Sequence, residues 1–434
     1  RLGGGPVVGM GWDETRWPEN RPPLRSELDR AAFGGAVFLM RVDVHSSVVS
    51  SAMLAASPQV RSETGYSESG HLTESAHVAA RMVVQGGLSP SQRTSAQRAT
   101  RSRAAALGIG AFHELGGPEI SSEDDFRSMM QLATSEPGVE IVGYWGELGG
   151  VEKARELGAL GAAGDLFADG AIGSHTACLR TVYADADTRG AGYLTAAQVR
   201  DHVVACAQAG LQAGFHAIGD ATMETVVRGF EEAAGIVGPE LIRLGRHRIE
   251  HAEMLDDDLV TRMAALGVYA SVQPVFDALW GGTDGMYADR LGRERALTLN
   301  PFASLASAGI PLALGSDTPV TPLGPWEAVR AAAYHHVAGQ RLTVRAAFAA
   351  HTRGGWRAAG RDDVGVLASG QPATYAVWDA GDLVVQAPDE AVRAWSTDPR
   401  AGVPGMPDLT PGAPVPQCVR TVVRGEIVYD SGVL

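Results

Sequence analysis

The stretch GLQAGFHAIGD, residues 210–220, decides the fold. It predicts a short buried strand that ends in His216 and is followed at once by a sharp turn. Two later stretches have the same form, RHRIEHAE at residues 246–253 and PLALGSDTP at residues 311–319. Each is an apolar or alternating run with a His or Asp at its carboxyl end. Such runs are typical of strands in a parallel sheet.

The residues at these three strand ends are the main candidates for metal binding and catalysis. If the strands are neighbours in one barrel, His216, His251 and Asp317 converge at its C-terminal rim, where (β/α)8 barrels build their active sites. Two imidazoles and a carboxylate suit a zinc-type ion, or a metal and a general base. The alternative is that buried His and Asp side chains satisfy one another by hydrogen bonds without a metal.

In the strand at residues 246–251, the alternation of side-chain direction predicts which residues share a face. Because side chains point to opposite faces in turn, His247, Ile249 and His251 should share one face. By the same rule Glu250 faces the surrounding helices, where we expect it to make a structural ion pair.

Strands and helices alternate along the middle of the chain, which predicts βαβ units and a parallel sheet. Seven strands are predicted, at residues 108–114, 139–147, 164–169, 211–216, 246–251, 268–273 and 311–317. A closed barrel of this kind has eight strands. We therefore expect the first barrel strand to lie before Arg1, outside this sequence.

The chain divides into three predicted regions. Residues 1–107 are expected to form a loop and helical insertion belonging to the barrel domain, with a strand at 37–45 and a helix beginning at 46–56. Residues 108–362 are the predicted catalytic (β/α) barrel. Residues 363–434 are rich in β-forming residues and turn glycines, which predicts two hairpins of a small β domain.

Composition excludes several classes of protein. The hydrophobic fraction of 45% provides for a sizeable core, and the net charge of −14 argues against nucleic acid or an anionic membrane as partner. Three scattered cysteines form neither a disulfide framework nor a metal-type spacing, which favours a reducing cytoplasm. No apolar run is long enough to span a bilayer. A homodimer is expected only from the frequency of dimers among soluble proteins.

Several motifs, in this order, resemble the amidohydrolase superfamily and specifically its amidohydrolase-3, YtcJ-like branch, which includes N-substituted formamide deformylases. The resemblance covers nearly all 434 residues. The matching motifs are GWDETRWP, RVDVHSSVVSSAML, DGAIGSHTA, HAIGD, RIEHAE, SVQP, LALGSDTPV and GVLASGQPAT.

The resemblance implies a (β/α)8 barrel with a small β-sandwich made from both chain ends. It implies that His216 and His251 are metal ligands, and that Asp317 binds metal and takes the proton from the attacking water. Two features depart from the family. The first-strand His-x-His pair is absent from this sequence, and Asp165 occupies the place where many relatives carry a lysine. An aspartate cannot be carbamylated, so we expect one divalent ion rather than two, zinc by default, with Asp165 either a further ligand or pointing away from it.

The function expected from this resemblance is hydrolysis of a small amide, at an N-acyl or N-formyl C–N bond outside peptides. Four residues near strand ends are candidates for contact with substrate, namely His45, His113, His175 and Gln273. Two alternatives remain open. The absent His pair favours a catalytically inactive barrel that serves as a binding or assembly module, and the same chemistry would also suit hydrolysis or deamination of cyclic substrates.

Overall fold

The computed structural model describes residues 5–384 and 405–433. Its largest sheet has seven parallel strands, whose order in the sheet follows their order in the chain. In sequence order the strands are β1 Val7–Trp12, β2 Val37–Arg41, β3 Ser46–Val49, β4 His71–Thr73, β5 Ala111–Gly116, β6 Glu140–Trp145, β7 Gly161–Ala162, β8 Gln212–Ala217, β9 Arg248–His251, β10 Tyr269–Val272, β11 Leu312–Leu314, β12 Tyr375–Asp379, β13 Leu383–Val384, β14 Met406–Pro407, β15 Gln417–Val423 and β16 Glu426–Asp430.

Helices lie between these strands along the chain. They are α1 Arg25–Ala31, α2 Ser51–Ala56, α3 Glu74–Gly86, α4 Pro90–Ala106, α5 Glu123–Ser135, α6 Val151–Glu156, α7 Ala196–Ala209, α8 Asp220–Val237, α9 Pro239–Leu244, α10 Asp257–Leu266, α11 Pro274–Trp280, α12 Met286–Leu291, α13 Arg293–Ala296, α14 Phe302–Ser307, α15 Pro325–Ala333, α16 Val344–Ala349 and α17 Gly355–Ala358.

Strands β5–β11 form the predicted parallel sheet. Six of the seven predicted segments overlap their strands closely. The exception is β7, which ends at Ala162, before the predicted segment 164–169 begins. That segment is irregular backbone, and within it Phe167 makes an isolated parallel bridge to His216.

The seven-stranded sheet curls into a barrel-like shape. His113 on β5 accepts a 2.9 Å hydrogen bond from Nη1 of Arg248 on β9, four strands further along the sheet. A flat sheet would hold those strands near 19 Å apart, at about 4.8 Å per strand. The contact therefore requires the sheet to close toward itself, as in a TIM-type (β/α) barrel.

Helix α8 illustrates how the outer layer packs. Met223, Val226, Val227 and Phe230 recur three or four residues apart and are all buried. This spacing puts them on one helix face, where the ring of Phe230 meets Phe215 of β8 edge to face at 5.8 Å. Phe215 faces outward, so its neighbour His216 faces the barrel interior.

Residues before α4 form a four-stranded sheet of their own, in the order β1–β2–β3–β4. The predicted strand at 37–45 ends at Arg41, and the chain turns through Val44, which has a φ of 55°. The prediction of a helix from Ser46 was wrong. Residues 46–49 pair with β2 as a strand, because Val48 and Val49 are β-branched and buried. The helix begins at Ser51, capped by Ser50.

The C-terminal strands include one clear hairpin. Strands β15 and β16 pair across Arg424 and Gly425, whose φ values of 51° and 88° suit a two-residue turn. Strands β12, β15 and β16 form one antiparallel sheet, and β13 pairs with β14. The other predicted hairpin, at residues 365–385, was wrong: its strands β12 and β13 pair with β15 and β14 and not with each other. Within the described part of the chain, no helix has the length and apolar character needed to cross a membrane.

Candidate active site

An open cleft of about 510 Å³ lies at the carboxyl ends of the barrel strands. Its lining includes every residue that the sequence predicts as a metal ligand, namely His216, His251, Asp165 and Asp317. The cleft therefore brings together side chains from the ends of β8, β9 and β11 and from the irregular segment after β7.

His216 lies at the centre of this group and is only 2% exposed. Its ring centroid is 4.4 Å from that of His251 and 5.0 Å from that of His45. Burial, followed by the nearby imidazoles of His251 and His45, lowers the pKa of His216 well below its usual value. The ring is neutral at pH 7, and neither nitrogen has a hydrogen-bond partner among the described residues.

His251 reaches the cleft through an unusual backbone conformation. Its φ is 71°, in the left-handed region, which ends the strand alternation at that residue. Its Nδ1–H donates to Oε1 of Gln273 at 2.8 Å, and its ring stacks 5.7 Å from that of Phe276. Burial lowers the pKa of His251 to about 4. This hydrogen bond fixes the tautomer and leaves Nε2 with its lone pair toward the cleft.

The predicted orientation of the strand before His251 was wrong. His247 and Ile249 face the helices, where His247 lies 5.7 Å from the ring of Phe230. Glu250 instead faces the barrel interior and is paired with Arg248. Simple alternation failed here because the positive φ at His251 turns that side chain to the same side as Glu250.

Two carboxyl groups lie in the cleft beside the imidazoles. Burial, with a smaller contribution from the charge of Glu250, raises the pKa of Asp165 to about 7. Burial, and then the charges of Asp165 and Glu250, raise the pKa of Asp317 well above its usual range. Carboxyl groups with raised proton affinity can hold and release protons near neutral pH.

A buried polar network lies beneath the cleft. Arg248 is 2% exposed and donates to Glu250, to Nδ1 of His113 at 2.9 Å and to Oγ of Ser271 at 2.9 Å. Its guanidinium also lies 4.6 Å from the ring centroid of Tyr144. One side chain thus joins β5, β6, β9 and β10 inside the barrel.

The structure separates the four predicted substrate contacts. His45 lies in the cleft lining, beside Phe167 and His216. The other three are not part of that lining. His113 lies below it on Arg248, Gln273 holds His251, and Nε2 of His175 pairs with Oδ1 of Asp185 at 2.9 Å.

Other residues of the cleft were not predicted from the sequence. An aromatic wall is formed by Phe276, Trp280 and Tyr287, with ring centroids 4.9 and 6.3 Å apart along the row. Glu253 adds a carboxyl group, and burial raises its pKa to about 8. The aromatic spacing of three to four residues within α11 was the available signal, but such spacing is also typical of ordinary core packing.

The side chains of the cleft meet some of the requirements of a divalent-ion site. A buried imidazole with no hydrogen-bond partner, beside a second imidazole whose other nitrogen is held by an amide oxygen, is typical of metal-ligating histidines. Among residues 5–384 and 405–433, however, no three His, Cys, Asp or Glu side chains are placed closely enough to hold a metal together. The rings of His216 and His251 lie side by side, with centroids 4.4 Å apart, so these two residues would hold the ion, with Asp165 and Asp317 within the same cleft.

Replacement of Gln273 tests whether His251 is a ligand. Gln273→Leu removes the acceptor that orients the ring, and we expect zinc affinity to fall about 10- to 100-fold. Gln273→Glu keeps an acceptor oxygen and should retain most of the affinity. Competition titration with a chromogenic chelator measures both variants. Equal affinity for zinc in Gln273→Leu and the unmodified chain would show that His251 is not a ligand.

Residues 3–429 match the model of the amidohydrolase family. The chain belongs to this family. It is 31% identical over 255 residues, 55% of this chain, to Protein LONG AFTER FAR-RED 3 of Arabidopsis thaliana. It is 32% identical over 182 residues, 41% of this chain, to the putative amidohydrolase YtcJ of Bacillus subtilis. It is 26% identical over 138 residues, 32% of this chain, to the N-substituted formamide deformylase of Arthrobacter pascens.

These matches span 40%, 31% and 24% of the lengths of those three proteins, respectively. A solved structure, an uncharacterized metal-dependent hydrolase from Pyrococcus furiosus, resembles the chain more completely. It has a TM-score of 0.64 at 25% identity and covers 85% of this chain and 76% of its own. The barrel fold and the YtcJ-like branch expected from the sequence are therefore confirmed.

Proposed function

We propose that this family member is a metal-dependent hydrolase that cleaves a C–N bond of a small, non-peptide amide with water. One observation carries the proposal. Two neutral imidazoles, His216 and His251, lie with ring centroids 4.4 Å apart in a cleft that also holds the carboxyl group of Asp317. Neutral imidazoles and a proton-accepting carboxylate are the groups that hydrolysis assisted by a divalent ion requires.

Each residue has a distinct role in this proposal. His216 and His251 bind the ion, and burial keeps both rings neutral so that their lone pairs are available. A divalent ion bound there supplies Lewis-acid activation of the carbonyl and lowers the pKa of water. Asp317 accepts the proton of the attacking water and donates it to the departing nitrogen.

The relatives support the reaction class. The name of the Arthrobacter pascens relative gives an N-substituted formamide as its substrate, and that of the Bacillus subtilis relative gives an amidohydrolase. An N-acyl or N-formyl amide is therefore the substrate class that we propose, with one zinc ion. Asp165 is proposed as a further ligand because its carboxyl group lies in the same cleft.

Metal loading and a substrate panel test this function directly. The full chain is loaded with zinc, and amine release is measured with N-formyl and N-acetyl derivatives of small amines. We expect turnover of at least one N-substituted amide that stops when a chelator removes the ion and returns on adding zinc. Bound zinc with no turnover across the panel, cyclic amides included, would contradict the proposal.

A second function is favoured by one observation. No three ligand side chains are assembled in the part of the chain that the structure describes, which suits a barrel that binds a partner without catalysis. Metal analysis separates the two functions. An isolated chain that binds no zinc and hydrolyses no amide, with or without added metal, is the result expected of a binding module.

The domain organisation belongs to this proposal as well. We propose that residues 108–362 form the catalytic barrel, that 1–107 belong to it as an insertion, and that 363–434 contribute strands to a small β-sandwich. Contacts support the last point in part. Thr421 of β15 donates to the carbonyl of Ala105 at 2.7 Å, so the C-terminal sheet packs on α4. A cytoplasmic location and a homodimer remain predictions.

A further inference from the structure

A buried ionic cluster joins the N-terminal sheet to the cleft. At its centre is Arg41 on β2, which is 1% exposed. Its guanidinium donates to Oε2 of Glu14 at 2.9 Å, to Oδ2 of Asp43 at 2.7 Å and, more weakly, to Oδ1 of Asp13 at 3.4 Å. We call Asp13, Glu14, Arg41, Asp43 and Arg290 the Arg41 cluster.

The Arg41 cluster is attached to the barrel loops at two points. Arg290 of α12 donates to Glu14 and, at 3.1 Å, to the carbonyl oxygen of Gly173. Oγ of Ser174 donates to Asp43, at 2.8 and 2.9 Å from the two carboxyl oxygens. The loop after β7 and helix α12 are thereby held against the N-terminal sheet.

The same cluster sets the wall of the cleft. Oδ1 of Asp43 accepts a 3.2 Å hydrogen bond from the backbone N–H of His45, whose ring lies 5.0 Å from that of His216. Gly173, another lining residue, fits so closely that a Cβ atom there would lie 2.2 Å from Nη1 of Arg41. Arg41 is therefore linked to the backbone of His45 through Asp43, and it lies directly against Gly173.

The buried ion pairs of the Arg41 cluster are not expected to stabilise the fold strongly by themselves. The desolvation of several buried charges offsets most of their mutual attraction, so a buried ion network is weak evidence for stabilisation. Its clear physical consequence is orientation, because the planar guanidinium fixes the directions of its hydrogen bonds. Here those directions fix the turn between β2 and β3, which delivers His45 to the cleft.

We infer that Arg41 is a positioning residue that holds His45 and Gly173 in the substrate-binding wall opposite His216. The expected change in KM rests on the proposed function, whereas the placement of His45 and Gly173 by Arg41 does not depend on it. A substrate contact made by His45 in both the ground and transition states would affect KM more than kcat when the ring is displaced.

Two variants of Arg41 and one control test the inference in the full, zinc-loaded chain. Arg41→Lys keeps the charge but not the planar fork, whereas Arg41→Met removes both. Arg16→Met is the control, because Arg16 lies 3.6 Å from the same Asp13 but is largely exposed and does not line the cleft. Circular dichroism and thermal unfolding establish that each variant is folded.

The first readout is independent of activity. The ring resonances of His45 are assigned by their loss in His45→Gln, in protein with isotope-labelled histidine. In the unmodified chain and in Arg16→Met the rings of Phe167 and His216 should shift these resonances. In Arg41→Lys they should move toward those of a solvent-exposed histidine. Unchanged His45 resonances in folded Arg41→Lys and Arg41→Met would overturn the inference.

The second readout is the split between KM and kcat on any amide that the panel identifies. We expect Arg41→Lys to raise KM about 10-fold or more while kcat changes less than about threefold. A KM in folded Arg41→Lys that is no higher than that of Arg16→Met would contradict a positioning role. If no amide is hydrolysed, the proposed function fails, and the His45 resonances still decide whether Arg41 positions that ring.

Discussion

Asp317→Asn should lower kcat/KM for amide hydrolysis by about 100- to 10,000-fold, the range expected for loss of a positioned general acid and base. The asparagine keeps the size of the side chain but cannot accept the proton of water or return it to the departing nitrogen. Burial and the nearby acidic groups raise the pKa of Asp317, whereas a cation bound beside it would favour the carboxylate form that accepts the proton. Initial rates of amine release at saturating zinc measure the effect.

The control for this variant is Asp362→Asn, which changes an exposed carboxyl group that pairs with Arg246 far from the cleft. Its kcat/KM should remain within about twofold of the unmodified chain. Zinc content must be measured for both proteins, so that loss of the ion is separated from loss of proton transfer. Undiminished hydrolysis by zinc-loaded Asp317→Asn would remove Asp317 from the mechanism.

Arg248→Met should lower the free energy of unfolding by about 3–5 kcal/mol, because it leaves the buried carboxylate of Glu250 without its partner. The substitution also removes the donors to His113 and Ser271 inside the barrel. Denaturation by urea, followed by circular dichroism, measures the change. This effect is on stability and does not depend on any bound ion.

Two further variants make this result specific. Arg248→Met combined with Glu250→Leu removes the charge pair together, and we expect it to recover a substantial part of the lost stability. Arg228→Ala removes an exposed pair with Glu232 on α8, and the expected change is within about 0.5 kcal/mol. If Arg248→Met cost no more than Arg228→Ala, the buried network would not be a structural requirement.

The strand order of the barrel could be predicted from the sequence because it depends on local patterns. Buried apolar runs such as AGFHA at residues 213–217 and LAL at 312–314 are separated by helices of regular spacing. Parallel strands place their carboxyl ends on one rim, so the convergence of His216, His251 and Asp317 followed from chain order. The structure places all three in one cleft.

The details of side-chain direction could not be predicted in the same way. A φ of 71° at His251 turns that side chain to the same side as Glu250, so the faces expected for the residues before it were wrong, and no alternation rule reveals it. Likewise, no local pattern in GWDETRWP predicts that Asp13 and Glu14 pair with Arg41 almost thirty positions later. Contacts between distant charged residues depend on the tertiary fold, which a single sequence does not show.

The most direct test of the central claim is the position of zinc in crystals of the full chain grown with that ion. Anomalous diffraction at the zinc absorption edge should show one peak within about 2.0–2.1 Å of a nitrogen of His216 and of a nitrogen of His251. A structure that holds zinc elsewhere, or none between these two rings at saturating zinc, would contradict the assignment of the cleft as a metal-dependent active site.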